Sequence, residues 1–169
     1  MSTHIPHRQR GAAALEFALV LPIFVLLIYG LVTFGSVFYT QITLSRAAAD
    51  GARALGMVHG IGTFESIPEP VKDGIRLEVV NSLAQSIITP LGLVSLAERQ
   101  TWLQENVMPQ VSVDEGSCGS DGNASGVLRV RVVYPFSQVR MLPPIQLPLI
   151  GNMDAWMPQT LSGCAIAQL

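Results

Sequence analysis

Phe17 to Tyr39 reads FALVLPIFVLLIYGLVTFGSVFY, and the charge-free run around it extends to Ser45, 29 residues of which 20 are hydrophobic. Wound as an α-helix, Phe17–Tyr39 is about 34 Å long at 1.5 Å per residue, enough for a hydrocarbon core of roughly 30 Å. A helix in a soluble core keeps one polar face; this run has none, so it reads as a membrane span. A cleaved secretory signal fits poorly. Its apolar region would be about 7–15 residues long and end at a small-x-small site. Here the run is far longer, and Ala47-Ala48-Ala49 comes too late. The flanks set the orientation. His4, His7, Arg8 and Arg10 precede the run with no acidic residue before Glu16, whereas residues 46–169 hold eight Lys/Arg against eleven Asp/Glu. The positive-inside rule puts the N-terminus in the cytoplasm and the C-terminal part outside, with Arg46 a weak opposing signal.

Just ahead of the span lies Arg10-Gly11-Ala12-Ala13-Ala14-Leu15-Glu16-Phe17. A basic leader ends in Gly11, four small or apolar residues follow, and then come one Glu, an aromatic residue and the span. This order resembles the prepilin cleavage pattern of type IVb pilins. The longer stretch RGAAALEFALVLPIFVLLIYGLVTFG is similar to the TadE-like family of minor pilins, or pseudopilins, of tight-adherence (Flp pilus) systems. The resemblance covers about the first quarter of the chain and rests on Gly11, Glu16, Phe17, Pro22 and Phe34-Gly35 in order. Thr33 departs from it, since many relatives carry an acidic residue there, which leaves the subfamily open.

The resemblance implies cleavage between Gly11 and Ala12 by a prepilin peptidase. It also implies association with a second minor pilin, the major Flp pilin and an inner-membrane assembly platform, and a role in surface adhesion and biofilm formation. The residues suit that chemistry. A membrane-embedded peptidase at the cytoplasmic face needs a small residue at the scissile bond and a basic leader held at the surface. Cleavage would create an α-amine four residues before Glu16. A carboxylate at a membrane boundary is costly unless paired, and that amine, of the same chain or a neighbour, is its natural partner. Glu16 and Phe17 would then set the register of assembly; the simpler reading is that Glu16 marks the interface end of the span. Pro22 removes one backbone hydrogen bond inside the helix and is either a kink used in assembly or the ordinary tolerance of membrane helices for proline.

Beyond Tyr39 the pattern turns amphipathic without a break, and the alanine-rich segment to Ala54 predicts one long helix from about Ala13. Ala48, Ala52 and Gly56 recur every fourth residue and form a groove for close packing. Its occupant is either the protein's own outer domain or another pilin helix. Gly56–Thr63 reads as a loop; without a preceding strand its glycines are no nucleotide signature. Pro68-Glu69-Pro70 opens a helix to about Thr89, with Val71, Ile75, Val79, Leu83 and Ile87 on one face. Ser95-x-x-Glu98 is a capping box for a further helix to about Asn106. Pro109 ends that helix, and beyond it the period changes to two. Val111–Val113, Val127–Phe136 and Leu161–Gln168 predict strands, with Leu128, Val130, Val132 and Tyr134 on one face and Arg129 and Arg131 on the other. Between them, 115–126 reads as an exposed loop, and Pro143, Pro144 and Pro148 as an extended connection.

The fold expected is therefore α+β: a long N-terminal transmembrane helix, then a small pilin-like extracytoplasmic domain of helices on a short antiparallel sheet. The divisions are 1–11 (cytoplasmic leader), 12–55 (transmembrane and assembly helix) and 56–169 (extracytoplasmic domain). Cys118 and Cys164 are the only cysteines, and both fall on the side where disulfides form, so one intramolecular bridge is expected. Two cysteines without nearby histidines cannot fill a zinc shell, and His59 alone on a glycine-rich loop is a solvated side chain. No G-x-S-x-G, HExxH or P-loop occurs. These observations predict no cofactor, no metal and no enzymatic activity. The formal net charge of −2 disfavours nucleic acid as a partner. A single-pass anchored extracytoplasmic binding domain, unrelated to pili, is the alternative reading. Outside Phe17–Ser45 the mean hydropathy falls to about +0.1, yet only about 16% of residues are charged, below the roughly 25% usual for soluble domains. The outer domain thus reads as one partly covered by other surfaces.

Overall fold

The computed structural model describes residues 9–57, 67–86, 88–90, 92–119, 127–139, 146–147, 151–152 and 157–168. His4, His7, Arg8, His59, Ile87 and the prolines at 143, 144 and 148 lie outside them, as does most of the loops expected at 56–63 and 115–126. The described chain is α+β, with a long N-terminal apolar helix, two further helices and a three-stranded antiparallel sheet. It divides into two compact units, residues 1–37 and 38–169. That boundary falls inside the first helix.

Helix α1 (Gln9–Gly56) is unbroken through Pro22. In the first unit its described side chains are large, apolar and exposed almost all round: Leu19, Ile23, Phe24, Leu27 and Leu31 among them. In the second unit the helix changes character. Leu44, Ala47, Ala48, Gly51, Ala52 and Leu55 are buried, the 3-4 spacing of one face.

That face packs within residues 38–169 against a sheet of order β1 (Val111–Glu115), β2 (Val127–Tyr134) and β5 (Leu161–Gln168). A separate two-residue pairing joins β3 (Gln146–Leu147) to β4 (Gly151–Asn152). The alternation read in the sequence is realised along β2: Leu128, Val130, Val132 and Tyr134 are buried, and Arg131 is exposed. Register places Val132 opposite Val111 on one side and Gly163 on the other. Consequently Gly163, Ala165 and Ala167 of β5 share the inward face of the sheet. These small residues let the helix come close. A Cβ on Gly163 would collide with the Leu44 carbonyl and lie 2.9 Å from the Ser45 nitrogen. On the helix side, a Cβ on Gly51 would lie 2.6 Å from Val79 and 3.2 Å from Val130. At Gly163, then, the helix backbone itself sets the spacing, whereas at Gly51 valine side chains do.

Helix α2 (Glu69–Ala84) contributes Ile75, Val79, Val80, Leu83 and Ala84 to the same core. It stops five residues before the expected Thr89. The physical reason is Ser86, whose backbone N–H and hydroxyl both donate to the Leu83 carbonyl, at 3.0 and 2.6 Å. They close a three-residue turn where the helix would need a four-residue one. Gly92, at φ +114°, then turns the chain, a conformation glycine adopts without steric cost. Helix α3 (Leu96–Asn106) begins with both halves of the capping box. The Glu98 N–H donates to Ser95 Oγ at 3.2 Å and the Ser95 N–H to Glu98 Oε2 at 3.1 Å. These bonds, the one from the Ser95 backbone foremost, hold the Glu98 carboxyl below its ordinary range. After Asn106 the chain makes one 3-10 turn through Pro109 before entering β1. Leu103 and Val107 are buried, and Trp102 meets Tyr134 edge to face with ring centroids 6.2 Å apart. Among the described residues the buried Tyr134 hydroxyl has no hydrogen-bond partner, and burial pushes its pKa up.

Candidate membrane and assembly segment

Gly11 and Ala12 fall in the first turn of α1, and Glu16 lies one turn further on. Glu16 is exposed, between Leu15 and Phe17, each 65% exposed. It is the only charged residue from Gly11 to Ser45. Pro22 follows within the same helix, where its ring leaves the Ala18 carbonyl without an N–H partner. From Ala13 to Gly56, α1 is long and apolar enough to cross a membrane. Its most apolar stretch is almost entirely unburied, unlike a core helix of the same composition.

The groove residues divide. Ala48 and Ala52 are buried in the second unit, whereas Gly56 is exposed, with open space where a side chain would be. The buried face continues instead through Gly51 and Leu55. Polar contacts hold the helix beside its neighbours. Gln41 Nε2 donates to the Ser162 carbonyl at 2.8 Å, and the Ser82 hydroxyl to Asp50 at 2.8 Å. Asp50 also pairs with Arg53 at 3.0 Å. Reading the sequence alone missed Gly163, Ala165 and Ala167. Their signal was present as small residues at alternate positions of LSGCAIAQ, but small side chains carry little hydropathy and leave no strong period.

On the outward face of the sheet, Cys118 is disulfide-bonded to Cys164, 46 residues apart in sequence. Arg129 anchors the segment leading to Cys118. Its guanidinium forks onto the Asp114 carboxylate at 2.7 and 2.9 Å and donates to the Ser117 carbonyl at 3.2 Å. The hydrogen bond and charge of Asp114 raise the pKa of Arg129 further. Among the described residues, no group of three or more His, Cys, Asp or Glu side chains is placed to hold a metal ion.

Residues 11–53 match the model of the family described as TadE-like protein. This segment is TadE-like. The match begins at Gly11, takes in Glu16, Phe17 and Pro22, and ends three residues before α1 does. A TadE-like segment suggests association with a Tad pilus, and TadE-like proteins are generally non-enzymatic. No curated protein and no solved structure matches the chain. The TadE-like match thus covers the exposed half of the helix and all of its buried face except Leu55, and the sheet lies beyond it.

Proposed function

We propose that this protein is a minor pilin or pseudopilin of a Flp/Tad-type pilus used in surface adhesion. It is anchored by α1 with the N-terminus cytoplasmic and the folded domain extracytoplasmic, and it is processed between Gly11 and Ala12. The observation that carries this reading is the TadE-like match starting at Gly11, together with a lone exposed carboxylate, Glu16, in a stretch of the helix (11–45) with no other charge.

The chemistry follows from those residues. Gly11 offers the peptidase an unhindered peptide bond. Cleavage leaves a positively charged amine on Ala12, one helical turn before Glu16. In a low-dielectric boundary the amine and carboxylate gain most by pairing with each other, since either alone carries a desolvation cost. Two such ends meeting in neighbouring subunits fix axial register through charge, and the exposed apolar side chains behind them supply packing surface. The partners of this reaction sequence are the prepilin peptidase, other pilins (a second minor pilin and the major Flp pilin) and the inner-membrane assembly platform.

Replacing Gly11 with leucine in cells that make the whole pilus system tests the proposal. The expected result is unprocessed protein that stays in the membrane fraction while piliation or adhesion falls. Unchanged pili and adhesion with the unprocessed chain would overturn it and favour an anchored binding domain.

A further inference from the structure

Helix α1 carries no charge between Glu16 and Arg46. That interval covers about 45 Å at 1.5 Å per residue. This is the thickness of a bilayer with its headgroup layers, roughly 40–45 Å, rather than of the hydrocarbon core alone. The last part of the interval belongs to the unit of residues 38–169. There Phe38 is 66% exposed, Ile42 65% and Tyr39 39%, although Leu44 just beyond is fully buried.

The fold attaches β5 to this same stretch. Gln41 donates to the Ser162 carbonyl, and Gly163 abuts the Leu44 backbone. The first residues of β5 therefore lie level with helix residues whose outward faces are apolar and, among the described residues, uncovered. Sheet register brings Val133 and Tyr134 alongside, and the Ser137 N–H donates to the Gln159 carbonyl at 3.0 Å, joining the two chain segments at that end. No Asp, Glu, Lys, Arg or His occurs in 132–139 or 157–168. The opposite end of the sheet is charged, with Asp114, Glu115 and Arg129. Charge returns at the β1 side through Arg76, which donates to the Val111 carbonyl and pairs with Asp73 and Glu69.

We infer that the uncharged corner formed by 38–42, 135–138 and 159–162 is seated in the headgroup layer of the membrane, so that lipid covers its exposed apolar side chains. This inference rests on reading residues 17–45 as a membrane span. Phe38 and Tyr39 sit where aromatic rings collect at a bilayer interface, and the neutral polar Gln159, Thr160 and Ser162 suit a zone of headgroups and partial hydration. A domain carried clear of the surface would leave Phe38 and Ile42 in water. Monomeric soluble surfaces seldom hold large contiguous apolar patches.

The test uses full-length protein in phosphatidylcholine–phosphatidylglycerol vesicles, with a nitroxide side chain that needs no thiol placed at Ser162 or at Ile166, four residues further along β5. Collision with a nickel chelate attached to lipid headgroups is read for each label, and carbonate washing reads membrane insertion. The inference expects carbonate-resistant protein in which the Ser162 label collides several-fold more often than the Ile166 label. Equal collision rates in carbonate-resistant protein would overturn the seating alone. Release of the protein by carbonate would overturn the membrane span, and the seating with it.

Discussion

Leu27 and Leu55 occupy the same helix and carry the same side chain, yet one is 58% exposed and the other fully buried. Around Leu27 the neighbours are large: Phe24, Ile28 and Leu31 stand out from the helix with no described protein surface to bury them. Around Leu55 they are small, and Gly51 lets the side chains of Val79 and Val130 close on the helix backbone. Hydropathy alone does not separate the two halves. Side-chain size does, because an apolar surface meant for lipid gains from bulk, whereas one meant for close packing within a protein gains from its absence.

Truncating the two leucines breaks the comparison most directly. Leu55→Ala should cost about 2–5 kcal/mol in denaturant unfolding of the detergent-solubilised protein, and Leu27→Ala should leave the folded unit unchanged. Equal effects would mean that the two halves are not in different environments. Removing the disulfide with Cys118→Ser and Cys164→Ser together should cost about 2–4 kcal/mol, again confined to residues 38–169. The expected readout is a lower midpoint for the loss of sheet signal, with the helical signal of the span retained. A matched pair of glycines comes next. Gly163→Ala forces a methyl group into the Leu44 backbone and should cost about 1–3 kcal/mol, while Gly56→Ala, in open space, should be neutral or slightly stabilising. A neutral Gly163→Ala would show that the helix–sheet spacing is not set by backbone contact.

Much of this was legible in the sequence, for identifiable reasons. The exposed apolar half of α1 was legible because 29 consecutive uncharged residues leave the helix no polar face. Strand β2 was legible because Arg129 and Arg131 interrupt an apolar run with period two, and α3 because Ser95 and Glu98 satisfy each other's backbone donors within four residues. What stayed hidden depends on tertiary contact. The stop of α2 at Ala84 turns on one hydroxyl bonding to Leu83. The replacement of Gly56 by Gly51 in the packed face depends on which way the sheet meets the helix. The small face of β5 has meaning only opposite the small face of α1. Gly11, Glu16, Phe17 and Pro22, all inside the TadE-like match, were readable as an ordered pattern because that pattern lies within one helix.

The smallest expected effect belongs to the α3 cap, which is local and independent of both halves of α1. Ser95→Ala should cost about 1 kcal/mol. Because Glu98 has a folded-state pKa below its ordinary value, its contribution is present above the ordinary carboxylate range and is lost as pH falls through the folded value. Melting curves at descending pH should show the gap between wild type and Glu98→Gln narrowing below that range. A constant gap would show that the carboxylate half of the box contributes nothing.

The central claim concerns the other end of the chain, where the TadE-like match begins at Gly11 and Glu16 is the one charged residue between it and Arg46. Intact-mass and N-terminal sequencing of the protein, purified from cells expressing its prepilin peptidase, tests it most directly. The account predicts a chain that starts at Ala12, one helical turn before Glu16. A chain that still starts at Met1 or Ser2 would contradict it.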